Sequence, residues 1–158
     1  MRVLRSAAQV DAWLGSAGWY PGRRCDELAA TKIESVLAAF HDDGGGLEII
    51  DPALEFIREH VGLELPVNEK PKDMLFFEPL LTYTGAAEDV QELADGLGQK
   101  VFPVAHDLYD AATVLIDEAG RFFYVHSSGE YYLGEEKYSA LMSYSRGYPL
   151  ESAENYYA

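Results

Sequence analysis

Cys25 is the sole cysteine of the chain and stands directly after Arg23 and Arg24. A thiol at a helix entrance beside two guanidinium groups has the makings of a nucleophile. No histidine lies near it in sequence to act as its base, so the residue reads as packing. His41, His60, His106 and His126 are scattered singly, with no spacing that would put two metal ligands on one helical face. "HDLYD", with His106, Asp107 and Asp110, offers ligands to a divalent ion but reads more simply as a solvated acidic loop. Asp117 and Glu118 are neighbours in a strand, where successive side chains point to opposite faces, so they make no acid/base pair. The glycines of "DDGGGLEII" lack the Lys-Ser/Thr ending of a phosphate loop, and no G-x-S-x-G is present. The residues therefore predict no catalytic set, no cofactor site and no metal site.

The basic pair itself allows two readings. In "GWYPGRRCD", residues 18–26, Arg23 and Arg24 follow a turn built from Gly18, Pro21 and Gly22. Either Trp19 staples a corner while the two arginines reach carboxylates nearby, such as Asp26 or Glu27, or the start of the next helix lends its N–H groups and dipole to an anion site.

The elements that must position these residues follow from spacing. Val3, Ala7, Val10 and Leu14 predict an amphipathic helix over 2–15, left at Gly15 and Gly18. Asp26 is placed to cap a second helix, whose apolar face runs through Ala29, Ile33, Val36, Leu37 and Phe40 until "HDDGGG". "DPALEFIREHVG" is a third, with Asp51 at the cap, Pro52 in the first turn and Gly62 at the exit. "LELPV" and "MLFFEPL" read as strands joined by a loop containing Pro and Lys, and "EDVQELADGLG" as a short helix. "ATVLIDEAGRFFYV" is a hairpin in which Gly120 takes the positive φ of a tight turn. "EYYLG" is a further strand and "EEKYSALMSYSRG" a last helix, with residues 149–158 a flexible tail. Helices come early and antiparallel strands late, so residues 1–158 predict one α+β domain.

Charge and aromatics narrow the partner. With 27 acidic against 12 basic residues, the net charge of -15 repels phosphate backbones and anionic lipid, which argues against direct nucleic-acid or membrane binding and for a basic protein partner. One cysteine allows no internal disulfide, and no apolar run marks a leader or a span, which together predict a cytoplasmic protein. From Glu88 to Glu118 the carboxylates are Glu88, Asp89, Glu92, Asp95, Asp107, Asp110, Asp117 and Glu118, against the single base Lys100. Tyrosines concentrate from Tyr124 onward, and tyrosine couples a large rigid contact area to a polar tip. Asp107, Tyr109, Asp110, Glu130 and Tyr131 are the candidate partner contacts on this composition.

"GWYPGRR" after a first helix, "VGLEL" after "DPALEFIREH", then "FEPL", "VFPVAH", "VLIDEAGRFF" and "YLGEEKYSALMSYSRG" resemble, in this order, the third subfamily of the SUKH superfamily of bacterial immunity proteins. The resemblance runs from about Trp13 to Gly147. It implies an α+β SUKH fold and a cytoplasmic protein that neutralises a cognate toxin of a polymorphic toxin system, often a nuclease, by stoichiometric binding without catalysis. It also implies a structural junction at the motif of Trp19, Pro21, Arg23 and Arg24. Two positions depart from the family pattern, both expected at turns: Val61-Gly62-Leu63 replaces "GGL", and Ala105 replaces a glycine. The superfamily also contains general interaction modules, so a regulatory protein- or ligand-binding module with no toxin partner is the alternative function.

Overall fold

The structure is a computed structural model that describes residues 2–68 and 73–158. Helix α1 (Ala7–Ser16) is capped by the Ser6 hydroxyl, which accepts from the Gln9 amide at 3.2 Å, and buries Val10 and Leu14. Helix α2 (Asp26–Asp42) buries Ala29, Ile33, Val36 and Phe40 of its expected apolar face and leaves Leu37 partly buried, and α3 (Asp51–His60) buries Ala53, Phe56, Ile57 and His60. Their caps differ from expectation. Cys25 and Ile50 hold the cap positions, and Asp26 and Asp51 are first-turn residues, where a carboxylate still favours the positive end of the helix. The Asp26 carboxylate turns to Arg24 at 2.8 Å and Arg58 at 3.7 Å instead of to the helix amides.

Seven strands form one antiparallel sheet in chain order: β1 (Glu64–Pro66), β2 (Met74–Phe76), β3 (Val101–Asp107), β4 (Thr113–Asp117), β5 (Phe122–His126), β6 (Gly129–Gly134) and β7 (Glu151–Ser152). The Pro- and Lys-containing loop between β1 and β2 falls on residues 69–72, outside the described residues. Helix α4 (Ala86–Leu97) precedes β3, and α5 (Lys137–Arg146) follows β6. Strand β3 escapes sequence reading because Pro103 removes a ladder donor. It is accommodated by a register shift between Pro103 and Ala105, so Ala105 lies buried within a strand and not at the turn the family pattern suggested.

Residues of β3, β4 and β5 are buried on both faces, which requires helices on both. Phe122 and Phe123 show the division. Phe122 meets Phe56 of α3 edge-on at 5.3 Å, and Tyr124, two residues on, meets Tyr144 of α5. Phe123 points the other way, toward Tyr132 and Tyr156, on the side where α4 packs. Asp43, just past α2, sets α4: its carboxylate accepts from the Gly85 and Ala87 amides at 3.1–3.2 Å, an N-cap supplied from another element. The β4–β5 hairpin is tied the same way, the buried Asp117 accepting from the Ala119 and Arg121 amides and from Arg121 Nε at 2.7 Å, with Gly120 at φ +85°.

The final ten residues differ most from expectation. They add strand β7 and a 3-10 helix at Ala153–Tyr156, bury Ala153, and stack Tyr156 on Tyr132 at 3.9 Å. Tyr157 lies so close to α4 that a Cβ on Gly96 would stand 2.6 Å from its ring. Aromatic burial by Tyr156 and Tyr157 outweighs the polar composition that predicted fraying.

The "GWYPGRR" corner meets the last turn of α3. Arg23 donates to the Glu59 and Val61 carbonyls, each at 2.8 Å, so it caps a helix C-terminus instead of pairing with a carboxylate. Trp19 lies parallel to the His60 ring at 6.3 Å and under the Lys137 ammonium at 4.1 Å. Arg23→Ala strands two carbonyls and is expected to cost about 1–3 kcal/mol in urea unfolding, whereas Arg24→Ala, on an exposed pair, leaves the midpoint unchanged. Burial holds His60 neutral, its pKa pushed down from 6.5 to about 3, with nearby Lys137 adding to the effect. A depressed folded pKa means stability that is complete above 6.5 and lost as pH falls toward 3, because the unfolded chain takes up the proton first. Thermal unfolding as a function of pH should show this loss in the native protein and a flatter profile in His60→Met.

Candidate partner-binding surface

The β3–β4 loop, the β5–β6 turn and the segment after α5 meet at one end of the sheet, since His106, Thr113, Val125 and Glu130 lie side by side in the register. Asp107, the last residue of β3, organises this end. Its carboxylate is 1% exposed and accepts from the Tyr124 hydroxyl at 2.6 Å, the Tyr144 hydroxyl at 3.0 Å, and the Asp110 and Ala112 amides at 3.0 and 3.4 Å. Asp107 is buried there, whereas its selection as a partner contact supposed an exposed side chain; its bonds shape the loop that follows it. The loop carries Ala111 at φ +52°, a conformation costly for a side-chain-bearing residue and held by the bonds on either side.

What the loop presents is apolar and aromatic. Leu108 is 56% exposed, Tyr109 60%, and Tyr148, across the groove, 50%. Asp110 accepts from the Tyr148 hydroxyl at 3.0 Å and lies 3.1 Å from the Tyr124 hydroxyl. Tyr148 also meets His126 Nε2 at 2.6 Å, and Tyr131 stacks on His126 at 5.4 Å and meets Tyr148 edge-on. Tyr109, Asp110, Glu130 and Tyr131 thus lie at the same end of the molecule as the buried Asp107.

Glu130 stands on the opposite face of the sheet from Tyr131, as strand alternation requires. There it joins Asp89 and Glu92 of α4 around a groove of about 420 Å³ that also takes in Glu154 and Tyr157. Tyr157 donates its hydroxyl to Glu130, and Tyr83 donates to Asp89. Burial raises the Glu130 pKa, and Glu92 and Asp89 raise it further. Sequence reasoning missed Leu108, Tyr148 and His126, because nothing local marks which apolar or aromatic residues a fold leaves outside.

The second cleft, about 490 Å³, lies beside the arginine corner. Its cations are engaged: Arg24 with Asp26, Arg58 with Glu55, Arg23 with backbone carbonyls, and Lys137 over the Trp19 ring. Glu55, Glu59 and Glu136 line it as well, so an incoming anion would meet carboxylates already bound or nearby. Cys25 packs against the core at the α2 entrance, its amide bonded to the Arg58 carbonyl at 2.8 Å. His106 turns to the Glu78 carbonyl at 3.3 Å, away from Asp107. Among the described residues no group of three or more His, Cys, Asp or Glu is placed to hold a metal ion, and no helix is long and apolar enough to cross a membrane.

A single α+β domain with an aromatic and acidic end has the surface chemistry that protein interfaces use. The SUKH-3 immunity protein family model matches residues 6–147, and the chain belongs to that family. No curated protein and no solved structure matches it. Membership supports an immunity-protein role and implies a cognate toxin as partner.

The Glu130 shift has a measurable consequence. A carboxyl whose folded pKa is raised destabilises the fold once ionised, so stability declines as pH climbs above the ordinary 4.5. Glu130→Gln, which keeps an acceptor for Tyr157, should raise the thermal midpoint at neutral pH, and the gain should vanish below pH 4.5.

Proposed function

We propose that this chain neutralises the cognate toxin of a bacterial polymorphic toxin system in the cytoplasm, by stoichiometric binding through the aromatic and acidic end of its sheet. The observation that carries the reading is the meeting there of exposed Leu108, Tyr109 and Tyr148 with Asp110, Asp89, Glu92 and Glu130. Large aromatics in a desolvated centre anchor protein interfaces, and a rim of one charge selects and steers the partner. The partner is accordingly a basic protein. A nuclease toxin fits, since its active site is built to receive phosphates and the carboxylates of this rim would occupy the same positive field. Tyr109, Asp110, Glu130 and Tyr131 are the proposed contacts, and Asp107 acts by holding the loop.

Co-expression with the toxin encoded beside this chain, scored as surviving cells, is the test. Rescue accompanied by an intact 1:1 complex is the expected result. Tyr109→Ala should weaken that complex by about 2 kcal/mol, roughly thirty-fold, and the association rate should fall steeply as salt is raised. An association rate indifferent to salt would remove steering from the account, and failure to rescue from an active toxin would remove that toxin as the target.

A further inference from the structure

Within the proposed surface lies a cavity of about 260 Å³ between the β3–β4 loop and the segment after α5, walled by Tyr109, Tyr124, Tyr144 and Tyr148 with Asp107 and Asp110 among them. It is smaller than the roughly 300–1,000 Å³ of sites for drug-sized ligands, and suits a single side chain.

Its polar lining is chiefly phenol and carboxylate, while Asn68, also in the lining, donates to Asp73 and Ser145 to the Met142 carbonyl at 2.8 Å. Each phenol has one hydrogen, and all three buried or bridging hydroxyls turn toward a carboxylate: Tyr124 and Tyr144 to Asp107, Tyr148 to Asp110. Burial foremost, and then the adjacent carboxylates, raise the pKa of all three, so these hydrogens stay on the phenols. What remains to face an occupant are lone pairs on phenol and carboxylate oxygens, so the complementary group is one that donates hydrogen bonds and accepts none.

The two carboxylates are met by hydrogen-bond donors but by no described cation. Among the described residues no Lys or Arg lies within ion-pair distance of Asp107 or Asp110. Arg146 lines the cavity mouth, exposed and donating to the Ser143 hydroxyl at 2.9 Å. Buried carboxylates ordinarily have a cation beside them, and aromatic faces attract one. Between the two candidates, a guanidinium is planar, more weakly hydrated, stacks on rings and binds a carboxylate with two parallel bonds, whereas an ammonium is a compact, strongly hydrated point charge. Exposed Leu108 and Tyr109 beside the opening would shield such a contact from water.

We infer that this cavity receives one arginine side chain of the partner, its guanidinium resting between the tyrosine rings and bonding Asp110. The inference rests on the toxin-binding reading only for the identity of the arginine's owner.

The cavity can be tested without the toxin. The full chain is titrated with N-acetyl-arginine methylamide, and with the lysine and citrulline counterparts, while backbone amide resonances are followed by NMR. Saturable shifts at Tyr109, Gly147 and Tyr148 are expected, with arginine at least ten-fold tighter than citrulline, which has the shape without the charge. Asp110→Asn, which keeps the loop amide, and Tyr109→Ala, on an exposed ring, should each weaken arginine binding ten-fold while distant resonances stay in place. Equal response to citrulline, absence of saturable shifts at these amides, or full binding by both variants would overturn the assignment. Cell rescue without arginine selectivity would sink the cavity and leave the immunity role standing; arginine selectivity without rescue would do the reverse.

Discussion

The carboxylate of Asp107 is the constraint on which the functional end of the molecule depends. It sits at the junction of a strand, a loop and a helix, and collects two backbone amides of its own loop and two phenol hydroxyls that lie 17 and 37 residues further along the chain. A buried charge is tolerable only when donors surround it, and here the donors come from Tyr124 of β5, Tyr144 of α5 and the loop that follows β3. The same bonds that neutralise the cost of burial therefore fix the loop conformation, hold Ala111 in its left-handed geometry and dock α5 against the sheet. Removing any one partner leaves the carboxylate short of a donor, which couples loop, helix and strand into one unit.

Around that unit the antiparallel meander does the gross positioning. Strand alternation puts Tyr131 on the α3/α5 face and Glu130 on the α4 face, yet both emerge at the same turn. An aromatic surface and an acidic groove thereby become neighbours although the sheet separates their bases. Asp43 performs a comparable service from the far end of α2, capping α4 and so setting where Asp89 and Glu92 stand. The closing segment completes the arrangement, with Tyr157 bridging from Gly96 to Glu130.

This concentration of like charge opposes folding. Burial foremost, and then the neighbouring Glu92 and Asp89, raise the Glu130 pKa, so the protein is less stable with that carboxyl ionised. The arginine corner shows the contrasting case. Arg23, Arg24 and Arg58 each have a local partner, and the corner works as a clamp on the C-terminal end of α3.

Much of the architecture was legible in residue spacing. Helices α1 to α5 and the Asp117–Phe122 hairpin with Gly120 in its turn follow from local periodicity and from residues whose backbone preferences are strong. Strand β3 was not legible, because Pro103 and Ala105 carry weak strand signals that a central position in the sheet overrides. The tail was misjudged because its polarity was visible and the aromatic surfaces waiting for Tyr156 and Tyr157 were not. The candidate surface was half legible: composition singled out Tyr109, Asp110, Glu130 and Tyr131, but it could not show that Asp107 is buried beneath them or that Leu108 and Tyr148 are exposed beside them. Sequence determines which residues have the chemistry for an interface, since charge and aromaticity belong to the side chain. Which of them share a surface depends on register and helix docking between residues distant in the chain, and those contacts exist only once the sheet has closed over its core.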